Sequence, residues 1–359
     1  MSGIKIRGTG RFAPAKIVTN DDLAKIVDTS DEWITTRTGI QTRHHCTTET
    51  HTDMCVGAAR QALENAGISP EDIGACVVAT FSSDYLSPSA ACMVQRGLGL
   101  PHDAVCFDLN AACSGFLFAI HTMECLLAQA PRKYGLVIGA EMLSRFINWE
   151  DRGTCVLFGD GAGAVVVEWR EDYPSIHAVL GCHGDPDMLG VTGAEKPAPA
   201  RIFMHGQPTF KFAVKAVPYC IDQVLEKAGM AIEDVDFFVF HQANARIIDL
   251  AAKKYHIPPE KYYKNIQKYG NTSAASIPLV ISELHDLGKV GPGSRVLVVG
   301  FGGGELAGGD VGHTALDKGV LGSQDFIELF HKNLPFAAVR GLNKAEVFAG
   351  NRLASRAPA

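Results

Sequence analysis

No Cys-x-x-Cys pair occurs among the ten cysteines, which stand at 46, 55, 76, 92, 106, 113, 125, 155, 182 and 220. That spacing withdraws support from zinc ribbons and thioredoxin-like chemistry. Most of them lie in apolar runs, as Cys76 does in Ala-Cys-Val-Val, where a reduced thiol packs as a small core residue. Long apolar runs are missing as well. None nears the ~18 residues of a membrane span, and the Met1–Arg7 segment has no apolar signal core. There is no basic excess: 33 Lys and Arg stand against 39 Asp and Glu, for a net charge of -6, which argues against a nucleic-acid partner. These absences lead us to expect a soluble, cytoplasmic protein without nucleic-acid or membrane partners. What is present is an ordinary globular composition, 47% apolar and 20% charged over 359 residues. That length suits about two domains. Glycine is plentiful, 37 residues, which points to tight turns and close backbone approaches.

The chain repeats itself. Residues 63–78 read LENAGISPEDIGACVV and residues 225–240 read LEKAGMAIEDVDFFVF, an offset of 162 that pairs Leu63 with Leu225, Gly67 with Gly229 and Asp72 with Asp234. Both copies read as an amphipathic helix, a glycine stop, a short loop and a buried strand. Further on, the strand ending at Gly139 parallels the strand ending at Gly300, an offset of 161. Strands are expected at 75–80, 104–109 and 134–141 and again at 236–240 and 295–300. Helices are expected at 89–98, 113–129, 213–228, 244–255 and 275–287. Strands as uniformly apolar as Phe237–Phe240 belong in a sheet covered on both faces, so the fold class is α/β in two similar halves. Ligands of such sheets bind beyond the carboxyl ends of the strands.

Three residues fall at that edge. Cys113, in Asn-Ala-Ala-Cys-Ser-Gly-Phe, opens a helix, where backbone N–H groups and the dipole stabilise a thiolate; alone, as one cysteine among ten, it reads first as a small core residue. His241 directly follows a strand, and Asn271, in Tyr-Gly-Asn-Thr-Ser, precedes a helix; each has an ordinary reading, as a satisfied polar residue and as a turn cap. The repeat changes this, because the 162-residue shift carries Cys113 to Ala275, beside the Asn271 turn, and His241 to Ala79. Cys, His and Asn at one edge support nucleophilic catalysis. Leu157–Ala164 is glycine-rich but runs into a strand, not the helix a dinucleotide site needs, and Gly300–Gly304 lacks the Lys-Ser/Thr of a phosphate loop. The N–H groups of the second segment suit an oxyanion hole. His44, His45, Cys46 and His51 are poorly spaced for a metal, and no metal is expected.

Taken in order, Asn-Ala-Ala-Cys113-Ser-Gly-Phe, Leu-Phe-Gly-Asp-Gly-Ala-Gly-Ala, His241-Gln-Ala-Asn-Ala-Arg, Tyr-Gly-Asn271-Thr-Ser-Ala-Ala-Ser-Ile-Pro and Gly-Phe-Gly-Gly-Gly304 resemble the beta-ketoacyl-acyl carrier protein synthase III family. Asp-Glu-Trp33-Ile-Thr-Thr-Arg37 near the start adds to the likeness, which runs from Ile4 to about Gly304. The resemblance implies a thiolase-like five-layered αβαβα fold and a homodimer. It implies decarboxylating condensation of acetyl-CoA, or another short acyl-CoA, with malonyl-acyl carrier protein to begin fatty-acid synthesis. In that reaction Cys113 carries the acyl group, His241 and Asn271 bond the malonyl thioester oxygen, and the N–H groups of Cys113 and Gly303 hold the second oxyanion. Coenzyme A enters as a substrate thioester and no cofactor is held permanently. By the same resemblance Trp33 and Arg152 sandwich the adenine, Arg37 and Asn244 serve the CoA phosphate and pantetheine, and Met204, Gly206 and Phe210 line the channel. Lys211, Arg246, Lys253 and Lys254 match a basic patch for the acidic carrier protein. The residue closing the acyl pocket comes from the partner subunit and maps most simply onto Ser87.

The organisation expected is a first half at 1–173, a second at 174–317 and an atypical tail at 318–359. After Gly304 the chain departs from the family pattern: Glu305, Gly308, Gly309 and Asp310 weaken the final apolar strand expected there. Two other readings stay open, a related CoA-primed condensing enzyme of secondary metabolism and a non-catalytic homologue that binds the carrier protein.

Overall fold

The computed structural model describes residues 2–185, 187–193, 199–291, 293–303 and 305–310, the last segment as main chain. The tail expected at 318–359 lies outside the described residues.

Alternation along each strand decides the layering. In the first sheet the strands are β1 (Gly3–Phe12), β2 (Ile73–Ala79), β3 (Val105–Leu109), β4 (Tyr134–Glu141) and β5 (Gly161–Arg170), in the order β1-β5-β4-β2-β3. In the second, β6 (Ala178–Cys182), β7 (Phe237–Phe240), β8 (Val296–Phe301) and β9 (Glu305–Asp310) take the order β7-β8-β9-β6. On one face of the first sheet Cys76, Val78, Leu136 and Ile138 pack against α1 (His51–Ala66) and α2 (Ala90–Leu98). On the other, Val77, Ala79 and Val137 meet α3 (Gly115–Leu127) and α6 (Ser276–Asp286). Those two helices also bury Phe237, Val239 and Val298 of the second sheet. The far face of that sheet, with Phe238, Phe240 and Leu297, is covered by α4 (Gly206–Ala228) and α5 (Ala245–Lys254). Residues one apart thus enter different layers, as the period of two requires, and the result is αβαβα.

The repeat runs through the backbone. Gly67 and Gly229 both end their helices in the left-handed region, at φ 65° and 62°, and matching 3-10 turns follow at Pro70–Asp72 and Ile232–Asp234. In each half a parallel strand pair, β2 with β4 and β7 with β8, is extended by an antiparallel strand, β5 or β9, and then by β1 or β6. The partner of β3 in the second half is reduced to one parallel bridge: Phe238 pairs with Tyr262 where Cys76 pairs with Cys106.

Two expectations need revision. Helix α4 begins at Gly206, not 213, because Pro208 falls in the first turn, where its missing N–H has no helical partner to lose. The weakened final strand is a continuous ladder over 305–310: Gly308 pairs with Val299 on one side and Val179 on the other. With both neighbours supplying backbone partners, the low strand propensity of glycine is overridden. Residues 311–317 lie outside the described residues.

Candidate active site

Two equivalent corners face each other at the carboxyl edge of the sheets. In the first, the 3-10 turn Ala112–Ser114 carries Cys113 into α3. In the second, the 3-10 turn Ser273–Ala275 leads into α6 just after Asn271. Ala112 and Ser273 both have positive φ, 43° and 49°, a costly conformation for residues with a side chain. The match is at an offset of 161, so Cys113 corresponds to Ala274 and not to Ala275. The two turns touch, and a Cβ built on Gly115 would lie 3.1 Å from Ala79 Cβ and 3.4 Å from Ala274 Cβ.

Cys113 is 7% exposed, and the main chain of Gly302 presses on it: a Cβ there would sit 2.7 Å from Cys113 Cβ and 3.1 Å from Sγ. The sequence reading singled out Gly303. Its own Cβ position faces Leu189, 3.1 Å from the carbonyl oxygen, so it is the neighbouring Gly302 that lies against the thiol. Gly302 is the residue that reading did not name, although it lies in the Gly300–Gly304 segment whose N–H groups suit an oxyanion hole.

The His241 N–H donates to the Val299 carbonyl at 2.8 Å, which keeps the residue in line with β7 where the strand ends. The imidazole is buried, meets Phe301 edge-on at 5.3 Å, and neither ring nitrogen has a hydrogen-bond partner among the described residues. Burial pushes its pKa down to about 3, so the ring is neutral and carries one N–H. Asn271 is held by its backbone, the N–H donating to Leu157 at 2.9 Å and the carbonyl accepting from Gly159 at 3.0 Å. Its Oδ1 accepts the Ser273 N–H at 2.9 Å, which assigns the amide and leaves Nδ2 as the donor end. The turns carrying the thiol and following the amide touch, and the neutral imidazole packs on Phe301, one residue before the glycine that lies against Cys113.

The residues matched to coenzyme A gather around the short helix Asp31–Thr38. It starts on Ser30, whose hydroxyl accepts the Trp33 N–H, and ends on Gly39 at φ 82°, where a Cβ would strike Ala245 at 2.5 Å. Arg37 and Arg152 both lie over the Trp33 ring, at 4.9 and 4.8 Å from its centroid. A ring stacked between Trp33 and Arg152 needs roughly 7 Å, two contact distances, so Arg152 must move to admit one. Arg152 also donates to the Asp28 carbonyl at 2.8 Å. Asn244 caps α5 through the Arg246 N–H and donates to the Arg37 carbonyl at 3.0 Å, which ties the two clusters together. Met204 ends the strand Ile202–Met204, next to Gly206 at the start of α4, and Arg246 stacks on Phe210 at 5.1 Å. Lys211, Arg246, Lys253 and Lys254 are exposed. Asp249 lies between Arg246 and Lys253 on α5 and is paired with Lys264 at 2.6 Å.

Ser87 is exposed at a loop tip with Tyr85 and Leu86, the latter 102% exposed. The base of that loop is pinned by Asp84, which accepts from Thr52 and bonds Arg145. The four residues weighed for a metal have other partners or places: His44 Nδ1 is 2.6 Å from the Pro14 carbonyl, His45 Nε2 is 3.2 Å from Phe158, His51 Nε2 is 3.0 Å from Thr80 Oγ1, and Cys46 lies beside Met54.

Two duplicated sheets around a buried helix pair, with a cysteine at the central corner, define the class: a thiolase-fold condensing enzyme. The chain belongs to the beta-ketoacyl-acyl carrier protein synthase III family. A family profile described as 3-oxoacyl-[acyl-carrier-protein] synthase III matches residues 107–184, and its C-terminal counterpart matches residues 225–311. A beta-ketoacyl-[acyl-carrier-protein] synthase III of Clostridium acetobutylicum is 46% identical over 314 residues, 85% of this chain and 96% of that one. The solved 3-oxoacyl-[acyl-carrier-protein] synthase III of Aquifex aeolicus is 45% identical at a TM-score of 0.81, covering 87% of this chain and all of its own. A solved priming beta-ketosynthase of the R1128 polyketide pathway is 34% identical at a TM-score of 0.81, over 86% of this chain and 96% of its own. Family membership makes the protein an acyltransferase of the condensing type.

Proposed function

We propose that the protein condenses acetyl-CoA, or another short acyl-CoA, with malonyl-acyl carrier protein to give 3-oxoacyl-acyl carrier protein. The observation that supports this is the pair of touching turns, one holding a thiol under the Gly302 main chain and the other fixing the donor end of the Asn271 amide, with a buried neutral imidazole at the end of β7. The Cys113 thiolate attacks the acyl carbonyl; the carbon–sulfur bond to CoA breaks and CoA leaves. Malonyl-acyl carrier protein then loses carbon dioxide, and the electron pair of the broken carbon–carbon bond moves onto the thioester oxygen. His241 and Asn271 donate to that oxygen, and donors already in place lower the barrier where charge develops. A histidine that is neutral by burial gives a hydrogen bond without giving up its proton. The enolate carbon attacks the acyl-Cys113 carbonyl, whose oxyanion is held by the N–H groups of Cys113 and Gly303, and the thiolate is released.

On this reading Trp33, Arg37, Arg152, Met204, Gly206, Phe210 and Asn244 receive coenzyme A. Lys211, Arg246, Lys253 and Lys254 dock the acidic carrier protein, a surface helped by the Asp249–Lys264 pair. The enzyme works in the cytoplasm as a homodimer of duplicated chains with halves at 1–173 and 174–317. A second reading, a condensing enzyme priming a secondary pathway, is favoured by the likeness to the polyketide priming enzyme. The two separate on substrate: the first requires turnover of acetyl-CoA with malonyl-acyl carrier protein, the second a preference for another primer or carrier. The test of the chemistry is intact mass after acetyl-CoA. One acetyl group should appear and should be lost in Cys113→Ala but kept in Cys106→Ala and Cys125→Ala; an acetyl group retained by Cys113→Ala refutes the assignment.

A further inference from the structure

The duplication supplies an internal comparison, because the Cys113 corner and the Asn271 corner are copies that differ in the residue set against them. At the offset of 161, Gly139 corresponds to Gly300 and Glu141 to Gly302. Gly300 and Gly302 share a face of the chain running out of β8, and that face lies on Ser114 and Cys113. Gly139 and Glu141 share a face of β4, and a Cβ on Gly139 would lie 2.2 Å from the Ala274 carbonyl oxygen. Glu141, two residues on, is therefore directed at the Ser273–Ala275 turn. Where the thiol corner has a glycine, the amide corner has a carboxyl.

That carboxyl is fully buried. Its Oε2 accepts from Ser82 Oγ and, at 3.3 Å, from Thr80 Oγ1. Oε1 has no partner in this cluster, and Ser273 Oγ is likewise buried with none of its own. The Ser273 hydroxyl faces the same carboxyl without a completed hydrogen bond to it, so a rotation of either side chain gives each atom the complement it lacks. Ser273 is the strained residue whose N–H fixes Asn271 Oδ1.

We propose that Glu141 is a positioning residue for Asn271: through the Ser273 hydroxyl it holds the left-handed turn whose N–H aims the amide donor. Burial raises the carboxyl pKa to about 8, so near neutrality it is the acid, able to donate to Ser273 Oγ while accepting from Ser82. Glutamine reproduces that donor and acceptor pair; alanine does not. The inference rests on the reading of Asn271 as the donor to the malonyl thioester, and the experiment separates the two.

Carbon dioxide release from malonyl-acyl carrier protein and acetylation of Cys113 by acetyl-CoA are measured separately for Glu141→Ala, Glu141→Gln, Ser273→Ala and Asn271→Ala. Asn271→Ala should lose about 10²–10³ in decarboxylation. If it does not, the parent reading fails. Given that loss, Glu141→Ala and Ser273→Ala should each lose about 10- to 100-fold in decarboxylation, the scale of a misplaced reacting group, with acetylation held within about threefold. Glu141→Gln should stay within about threefold in both. Should Glu141→Ala fail to fold, Ser273→Ala carries the decision. Equal losses in both half-reactions, undiminished decarboxylation in Ser273→Ala, or a glutamine variant as poor as alanine overturns the positioning role.

Discussion

Two buried titratable side chains pull stability in opposite directions with pH, and both belong to the site. Glu141 has its pKa raised from 4.5 to about 8 by burial, so between those values the folded chain holds a proton that the unfolded chain gives up. Its contribution is therefore present at low pH and lost as pH rises towards 8. His241 is lowered from 6.5 to about 3, so there the unfolded chain binds the extra proton and stability falls as pH drops below 6.5. Between about 4.5 and 6.5 the two slopes offset each other; above that window Glu141 acts alone, at up to about 1.4 kcal/mol per pH unit. Glu141→Gln removes that slope. Urea unfolding at pH 6.5 and pH 8 should show the variant gaining on the parent protein by about 1–2 kcal/mol. Parallel curves at the two pH values would mean that Glu141 is not held as the neutral acid.

Among the elements, the turn before α3 is held by a close backbone approach. A Cβ at Gly302 falls within 3 Å of Cys113 N and Cβ, positions fixed by the Ala112–Ser114 turn. Gly302→Ala should therefore cut acetylation of Cys113 by about 10²-fold, a cost typical of misplaced reacting groups, while the circular dichroism spectrum stays native. Normal acetylation in that variant would show that the corner has slack. The repeat makes much of this legible from sequence alone, since helix, glycine stop and strand recur in the same order at 67 and 229, and the strand ends at Ala79 and Phe240 deliver the edge directly. The left-handed backbone at Ala112 and Ser273 is not legible, because neither residue type favours it and only the packed corner imposes it. The one-residue drift from 162 to 161 shows in the two matched segments, but the residue at which it takes effect does not, and that point moves the partner of Cys113 from Ala275 to Ala274. The direct stacking of Arg152 on Trp33 also escapes the sequence, because it joins segments more than a hundred residues apart.

At the scale of the whole molecule the predictions concern what one chain needs from its surroundings. The loop Tyr85–Pro88 projects from a base pinned by Asp84, and on the dimeric reading the partner subunit's Ser87 closes the acyl pocket. A phenylalanine there fills space that a serine leaves, so Ser87→Phe should lower octanoyl-CoA use about tenfold or more relative to acetyl-CoA use. Equal effects on both primers would remove Ser87 from the pocket. The other question is how much of the chain the fold requires. The C-terminal family profile stops at residue 311, and the Aquifex aeolicus enzyme is matched along its entire length by 87% of this chain. In the second sheet β9 is bonded to β8 and β6, so the last matched strand has neighbours on both sides without help from later residues. Strand β9 in turn secures Phe301–Gly303, the segment against Cys113, because Phe301 pairs with Leu306 across the turn between β8 and β9. Truncation after Lys318 should therefore keep acetylation of Cys113 and shift the melting temperature by less than about 2 °C, equivalent to under about 1.5 kcal/mol for a chain of this length. Truncation after Gly303 removes β9 and should abolish both. A collapse of stability in the Lys318 truncation would mean that the residues beyond 318 complete the fold, and that the four-stranded second sheet is not sufficient by itself.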